Sequence, residues 1–224
     1  MMKKSHYRNK KTIGVLIAAY NEEKQIKNII QRIPAVVDEI LVVDDGSTDE
    51  TRKEALKTGI TVITHHQNQG KGMAIRTGIT HLKTDIIVFL DADGQHRPEE
   101  IPILVAPLLQ GQADLVIGSR LFGGFSTMPR IRVLSNVITR SLIRLRTNVH
   151  ISDTQSGFRA IFRTHLQNMN LCSTRYEIES EILLTAIKNK LRIKEVPISM
   201  IYGDEESHFS GIDLLNFVKS VIYG

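Results

Sequence analysis

The sequence predicts a mixed α/β fold, a doubly wound and mostly parallel sheet flanked by helices, and three observations predict it. Apolar, β-branched runs of strand length recur along the chain, helix-like stretches alternate with them, and the connections are short. With 42% hydrophobic and 24% charged residues among 224, the chain has the composition of a globular domain, which disfavours intrinsic disorder and low-complexity function.

Residues 13–19 read IGVLIAA, seven positions without a charge, as expected of a strand covered on both faces. Residues 22–33 place Ile26, Ile29, Ile30 and Ile33 on one helical face and stop at Pro34. A second strand at 39–43 leads into Asp44-Asp45-Gly46-Ser47, where Ser47 or Thr48 can cap a helix running toward Gly59. A third strand is expected at 60–64, a helix at 73–82, a fourth strand at 86–90 and a helix at 98–109. Pro98, Glu99 and Glu100 suit the first turn of that helix. A fifth strand at 114–117 ends this half. Beyond it come a loop with Gly123 and Gly124, an arginine-rich helix at 131–146 and a polar turn at 153–157. A strand at 158–162, a helix at 176–189, a strand at 192–197 and a final helix from Ile212 complete the pattern. No internal repeat or linker divides it.

Charge is unevenly spread. The 29 basic and 24 acidic side chains give +5, but Lys3, Lys4, Arg8, Lys10 and Lys11 lie in the first eleven residues without an acid, so the body is neutral. A general nucleic-acid partner is therefore not expected. Between Asp114 and Asp153 there is no acid, while Arg120, Arg130, Arg132, Arg140, Arg144 and Arg146 all lie there; that window suits an anionic partner. The single Cys172 allows no internal disulfide and no thiolate metal cluster. No run reaches the ~20 apolar residues of a membrane span, and the basic start lacks a signal-peptide core. The expected location is cytoplasmic, peripheral to a membrane.

The polar residues fall where an open parallel sheet binds ligands, beyond the carboxyl ends of its strands. The first strand ends in Ala19-Tyr20-Asn21-Glu22, the second in Asp44-Asp45 and the fourth in Asp91-Ala92-Asp93-Gly94-Gln95. Asp91 and Asp93, with Gln95 as a further oxygen donor, can ligate a hard divalent cation, Mg2+ or Mn2+, that also takes phosphate oxygens. Lys71 and Arg76, near a helix start, suit phosphate. Neither a P-loop nor G-x-G-x-x-G is present.

The stretches IAAYNEE, VVDDGSTDET, NQGKGMAIRTGI, FLDADGQHRPEEIP, GSR, SDTQSGFRA and YEIESEIL resemble, in order, the inverting nucleotide-sugar glycosyltransferases of family 2 with the GT-A fold. The resemblance is greatest to dolichyl- and polyprenyl-phosphate mannose synthases. It implies that Ala19, Tyr20, Glu22, Asp44, Asp45, Lys71, Asp91 and Ala92 contact the nucleotide sugar. It implies also that Asp91, Asp93 and Gln95 hold the metal, and that Arg120, Arg130 and Arg132 receive an acceptor phosphate. Residues 12–118 then form a nucleotide half and 119–224 an acceptor half of one domain behind a basic arm, 1–11. The expected donor is GDP-mannose, with UDP-glucose next, and the expected acceptor a polyprenyl or dolichyl phosphate.

Asp93, Arg120, Arg132 and Asp153 are the candidate catalytic residues. A lipid phosphate, with its second pKa near ~6, needs positioning more than deprotonation; Asp153 is the candidate base if the acceptor is instead a hydroxyl, and otherwise a turn-capping aspartate. The 131–146 helix carries Arg132, Arg140 and Arg144 on one face and Leu134, Val137, Ile138, Leu142 and Leu145 on another, a pattern able to lie on anionic membrane. Two features depart from the family. The loop VPISMIYGDEESHFS carries Asp204, Glu205 and Glu206, with His208, where many members have an arginine, and QSGFR without tryptophan replaces the Q-x-x-R-W of processive members. A saccharide or protein hydroxyl as acceptor, or nucleotide-sugar binding without catalysis, are the alternatives; the intact Asp91-Ala92-Asp93 and the arginine window disfavour the second.

Overall fold

The computed structural model describes residues 10–123 and 130–201, with side chains described over 10–121 and 136–201. The strands are β1 Ile13–Ala19, β2 Glu39–Asp44, β3 Thr61–Thr64, β4 Ile86–Asp91, β5 Leu115–Ser119, β6 Arg159–Phe162 and β7 Ile193–Pro197. They form one seven-stranded sheet in the order β3-β2-β1-β4-β6-β5-β7. The helices are α1 Ile26–Gln31, α2 Thr51–Leu56, α3 Lys71–His81, α4 Ile101–Leu109, α5 Arg130–Thr147, α6 Arg163–Gln167 and α7 Ile178–Lys188.

Alternation along β1 sends Val15 and Ile17 to one face and Leu16 to the other. Val15 and Ile17 join Ile29 of α1 and Leu104 of α4, whereas Leu16 joins Ile75 of α3, Ile143 of α5 and Ile182 of α7. Both faces are covered, which is why the central strands read as unbroken apolar runs. Parallel pairing of β1 with β2 and β4 sets Ala19 opposite Asp44 and Ala18 opposite Asp91, bringing three strand ends to one rim.

The structure departs from the expected pattern in four places. β6 runs antiparallel to both β4 and β5, so the parallel order is interrupted beside the site. The short α6 was not expected. α1 starts at Ile26 because residues 22–25 form a turn in which Gln25 and Ile26 N–H both donate to Glu22 C=O at 3.0 Å. Neither Ser47 nor Thr48 caps α2: Ser47 Oγ accepts from Asn21 N, Thr48 N donates to Asn21 Oδ1, and Asp49 Oδ1 accepts from Thr51 N at 2.9 Å. The final helix from Ile212 and most of the basic arm lie outside the described residues.

The start of β5 is tied to β7 by Asp114, whose carboxylate accepts from Arg192 Nε, NH2 and backbone N at 2.8–2.9 Å. The Arg192 guanidinium holds the Asp114 carboxyl down at about 2. A depressed folded-state pKa contributes stability above the unfolded value of ~3.9 and loses it as pH falls. Asp114→Asn is therefore expected to cost about 1 kcal/mol or less at pH 6, given the exposed arginine. In thermal melts the deficit against the unaltered protein should close as pH falls from about 4 to about 2.

Candidate active site

The first two rim loops are laced together. Asn21 takes a left-handed conformation, φ 57°, which turns the chain so that Glu22 N donates to Thr51 Oγ1 at 2.7 Å and Glu23 N to Asp49 Oδ2 at 3.2 Å. Ala19 is buried and Tyr20 is 39% exposed on the rim. Asp44 is buried, and its Oδ1 accepts from Ser47 N at 3.1 Å. It forms one wall of a broad groove of about 930 Å³ that runs past Arg52, His65 and His66. Asp45 has a different use. Its Oδ1 accepts from Gln69 N at 3.0 Å and meets His65 Nδ1 at 2.7 Å, while Oδ2 accepts from Gly70 N at 2.7 Å. Both oxygens are committed to the loop that leads into α3, which departs from the nucleotide contact expected of Asp45.

That loop delivers Lys71. Its ammonium lies 2.6 Å from Asp91 Oδ1 and 2.6 Å from Glu179 Oε1, and 5.7 Å from the centroid of the Tyr176 ring. Burial opposes the charge on Lys71, but the two carboxylates outweigh it and hold the ammonium well above its ordinary range. Burial likewise opposes ionisation of Asp91, and Lys71 and His96 outweigh it, so Asp91 stays ionised. Lys71, expected at a phosphate, thus already serves two acids. On the far side of Asp91, a Cβ at Gly157 would come 2.5 Å from Oδ2, so only glycine lets the turn before β6 approach the carboxylate. His96 is buried, stacks on Phe158 at 5.2 Å between centroids and brings Nε2 to 3.6 Å from Asp91 Oδ2.

Asp93 contrasts with Asp91. Burial, and then the Asp91 charge, push its carboxyl up, and its Oδ1 accepts from Gln95 N at 3.0 Å. Ala92 between them is buried. Two neighbouring carboxylates, one pushed toward its neutral form by the other, fit a hard divalent cation, which would favour the ionised form of both. Among the described residues no three or more His, Cys, Asp or Glu side chains surround a common point, so Asp91, Asp93 and Gln95 would share such a cation with oxygens of a ligand.

A second charge cluster stands nearby. Asp153 is fully buried and accepts from Arg120 Nε at 2.6 Å and NH2 at 2.7 Å, from Arg120 N at 3.1 Å and from Asn136 Nδ2 of α5 at 2.9 Å. Burial opposes the Asp153 charge, yet Arg120 holds its carboxyl below the usual range. A buried carboxylate so paired is a poor proton acceptor, which disfavours the base role considered for Asp153. Glu195 of β7 accepts from Ser152 N and Asp153 N at 2.8 and 3.0 Å, fixing that turn. Arg120 reaches Met200 Sδ at 3.9 Å, and Met200 bridges to His96. The two clusters are thus neighbours. Arg130 and Arg132 open α5, but their side chains lie outside the described residues.

Three residues had no assigned role in the sequence reading. Glu179, His96 and Arg159 all sit inside the quoted motifs, and motif membership was the available signal. Arg159 is 1% exposed, and its guanidinium donates to the carbonyls of Thr154 and Ser156 at 2.7 Å and to that of Glu179. It ties the turn holding Gly157 to the first turn of α7.

Comparison with known proteins gives consistent results. A model described as glycosyl transferase family 2 matches residues 14–169. The chain is 37% identical over 219 residues to a UDP-N-acetylglucosamine–dolichyl-phosphate N-acetylglucosaminyltransferase of Methanococcus voltae, covering 87% of each. It is 30% identical to the dolichol-phosphate mannosyltransferase of Pyrococcus furiosus, over 93% of this chain and 62% of that one. The crystal structure of Mycobacterium tuberculosis glucosyl-3-phosphoglycerate synthase with Mn2+, UDP-glucose and phosphoglyceric acid superposes with a TM-score of 0.79 at 27% identity, covering 95% of this chain and 79% of that one.

The Arg120–Asp153 pair yields a stability prediction. Asp153→Asn leaves the Arg120 charge buried without its counter-ion and is expected to cost about 3–5 kcal/mol in urea unfolding. The double variant Arg120→Met/Asp153→Leu, which removes both charges, should cost clearly less than the single one. Equal losses would show that the charge pairing is not what holds this turn.

Proposed function

The chain belongs to glycosyl transferase family 2 and is a glycosyltransferase of GT-A fold; on that premise we propose that it transfers a sugar from a nucleotide sugar to a dolichyl or polyprenyl phosphate, with inversion. The observation that carries this reading is the state of Asp153. A hydroxyl acceptor would call on it as a base, yet it is buried and held ionised by Arg120. A phosphate monoester is already ionised and asks only to be oriented, a task for the arginines at 120, 130 and 132. The Methanococcus and Pyrococcus relatives, both named for dolichyl-phosphate transfer, support it.

In the proposed mechanism Tyr20, Glu22 and Asp44 hold the nucleoside at the first two strand ends. Asp91, Asp93 and Gln95 would hold Mg2+ or Mn2+, which when bound would supply positive charge toward a departing nucleoside diphosphate. Arg120 presents the acceptor phosphate oxygen in line with that leaving group, so displacement at the anomeric carbon takes one step. For the sugar, the motif resemblance favours mannose from GDP-mannose. The 37% identical relative favours N-acetylglucosamine from UDP-N-acetylglucosamine as the second reading.

Purified protein given labelled donors and Mn2+ is expected to make labelled lipid with polyprenyl phosphate and none with the corresponding polyprenol. Transfer to the alcohol, or to neither, would overturn the acceptor assignment; the donor that labels the lipid decides between the sugars.

Peripheral membrane contact belongs to the same proposal. Among the described residues no helix is long and apolar enough to cross a membrane. On α5, Leu142 packs partly against the core while Leu145 is 86% exposed between Arg144 and Arg146. An apolar side chain set among arginines suits anionic headgroups, at about 1 kcal/mol per basic residue near the surface. In vesicle flotation with anionic lipid, Leu145→Glu is expected to lower the bound fraction several-fold; an unchanged fraction would remove α5 as the contact.

A further inference from the structure

Lys71 is the feature of this site that the transfer reaction itself leaves unexplained. It begins α3, Asp91 ends β4 and Glu179 lies in the first turn of α7, yet one ammonium meets both acids at 2.6 Å. Asp91 and Glu179 side chains are 22% and 10% exposed, and that of Lys71 19%, so water contributes little to orienting any of them. Asp91 is further confined by Gly157, which leaves no room for a side chain, and by the His96 ring. Lys71 itself has little freedom. Its neighbours Gly70 and Gly72 press on the 173–175 turn, where a Cβ at Gly72 would come 2.6 Å from Ser173 O, and Met73 N donates to Thr174 O at 3.1 Å. Glu181 anchors the same turn through Cys172 N and Ser173 N at 2.7 and 2.9 Å.

We propose that Lys71 is a positioning residue: clamped by Glu179, it holds the Asp91 carboxylate in the orientation that receives the divalent cation. Glu179 acts only through Lys71. This rests on the metal reading above, in which Asp91 and Asp93 share the cation. It makes an expectation opposite to that of simple charge. Deleting a positive charge beside a cation site should tighten cation binding, whereas deleting a positioning group should weaken it, by about tenfold or more for groups that orient a ligand.

The test measures Mn2+ binding rather than sugar transfer, by the electron paramagnetic resonance signal of free Mn2+ titrated into full-length protein at a fixed concentration of GDP or UDP, against a protein-free control with the same nucleotide, with circular dichroism confirming folding. Lys71→Met is expected to weaken Mn2+ binding about tenfold, and tighter or unchanged binding would overturn the proposal. Glu179→Gln should also weaken it in the native background and change nothing further in the Lys71→Met background, because coupled residues are not additive. Independent effects of the two would overturn the claim that Glu179 works through Lys71. Should Lys71→Met fail to fold, Lys71→Gln, polar but uncharged, carries the same sign test. Absence of Mn2+ binding by the unaltered protein would sink the metal reading and this inference together; normal binding by it with unaffected variants would sink this inference alone.

Discussion

One ammonium shared between two carboxylates organises the centre of this protein. Ionised acids at the buried end of a parallel strand are costly unless paired, and Lys71 supplies the pairing for Asp91 and Glu179. The constraint spreads outward. Lys71 can reach only if α3 starts hard against the 173–175 turn, which requires glycine at 72. The loop before it must also be held, and both oxygens of Asp45 do that. The turn before β6 can approach Asp91 only with glycine at 157, and buried Arg159 fixes that turn to α7 through three carbonyls. Segments more than a hundred residues apart are locked to the end of β4.

The second cluster applies the same physics to the opposite charge. Arg120 is a cation at the end of β5, and Asp153 keeps it in place from a turn that Glu195 and Asn136 fix in turn. Its proximity to Asp91 follows from the bridge between His96 and Met200. The acids at the end of β4 and the Arg120–Asp153 pair therefore lie side by side. That placement suits a reaction in which a diphosphate leaves and an anionic oxygen arrives, since each partner meets charge arranged before it binds.

Much of the fold was legible because the physics behind it is local. Residues 13–19, 40–43 and 86–90 carry no charge since both sheet faces are covered, and the polar residues after them mark the rim. The antiparallel insertion of β6 was not legible, because FRAIF carries no sign of strand direction; the turn at 153–157 that leads into it is held by Arg120, Glu195 and Arg159, which are distant or unmarked in the sequence pattern. Helix caps were misplaced for a related reason. Ser47 and Thr48 are good capping residues, but Asn21, distant in sequence, competes for them.

The amino-acid order alone determined the alternation of strands and helices, the rim positions of Asp44, Asp91 and Asp93, and the family to which they point. These depend on periodicity and on residues adjacent in the chain. Tertiary structure decided which of those charges are spent inside the protein. Asp45 and Lys71 looked like ligand contacts in sequence and Asp153 like a base or a turn cap, and each is bound by a partner at least 20 residues away, at His65, at Asp91 and Glu179, and at Arg120. A charge's role depends on whether folding buries it and what it then meets, and at such separations only the packed chain sets that.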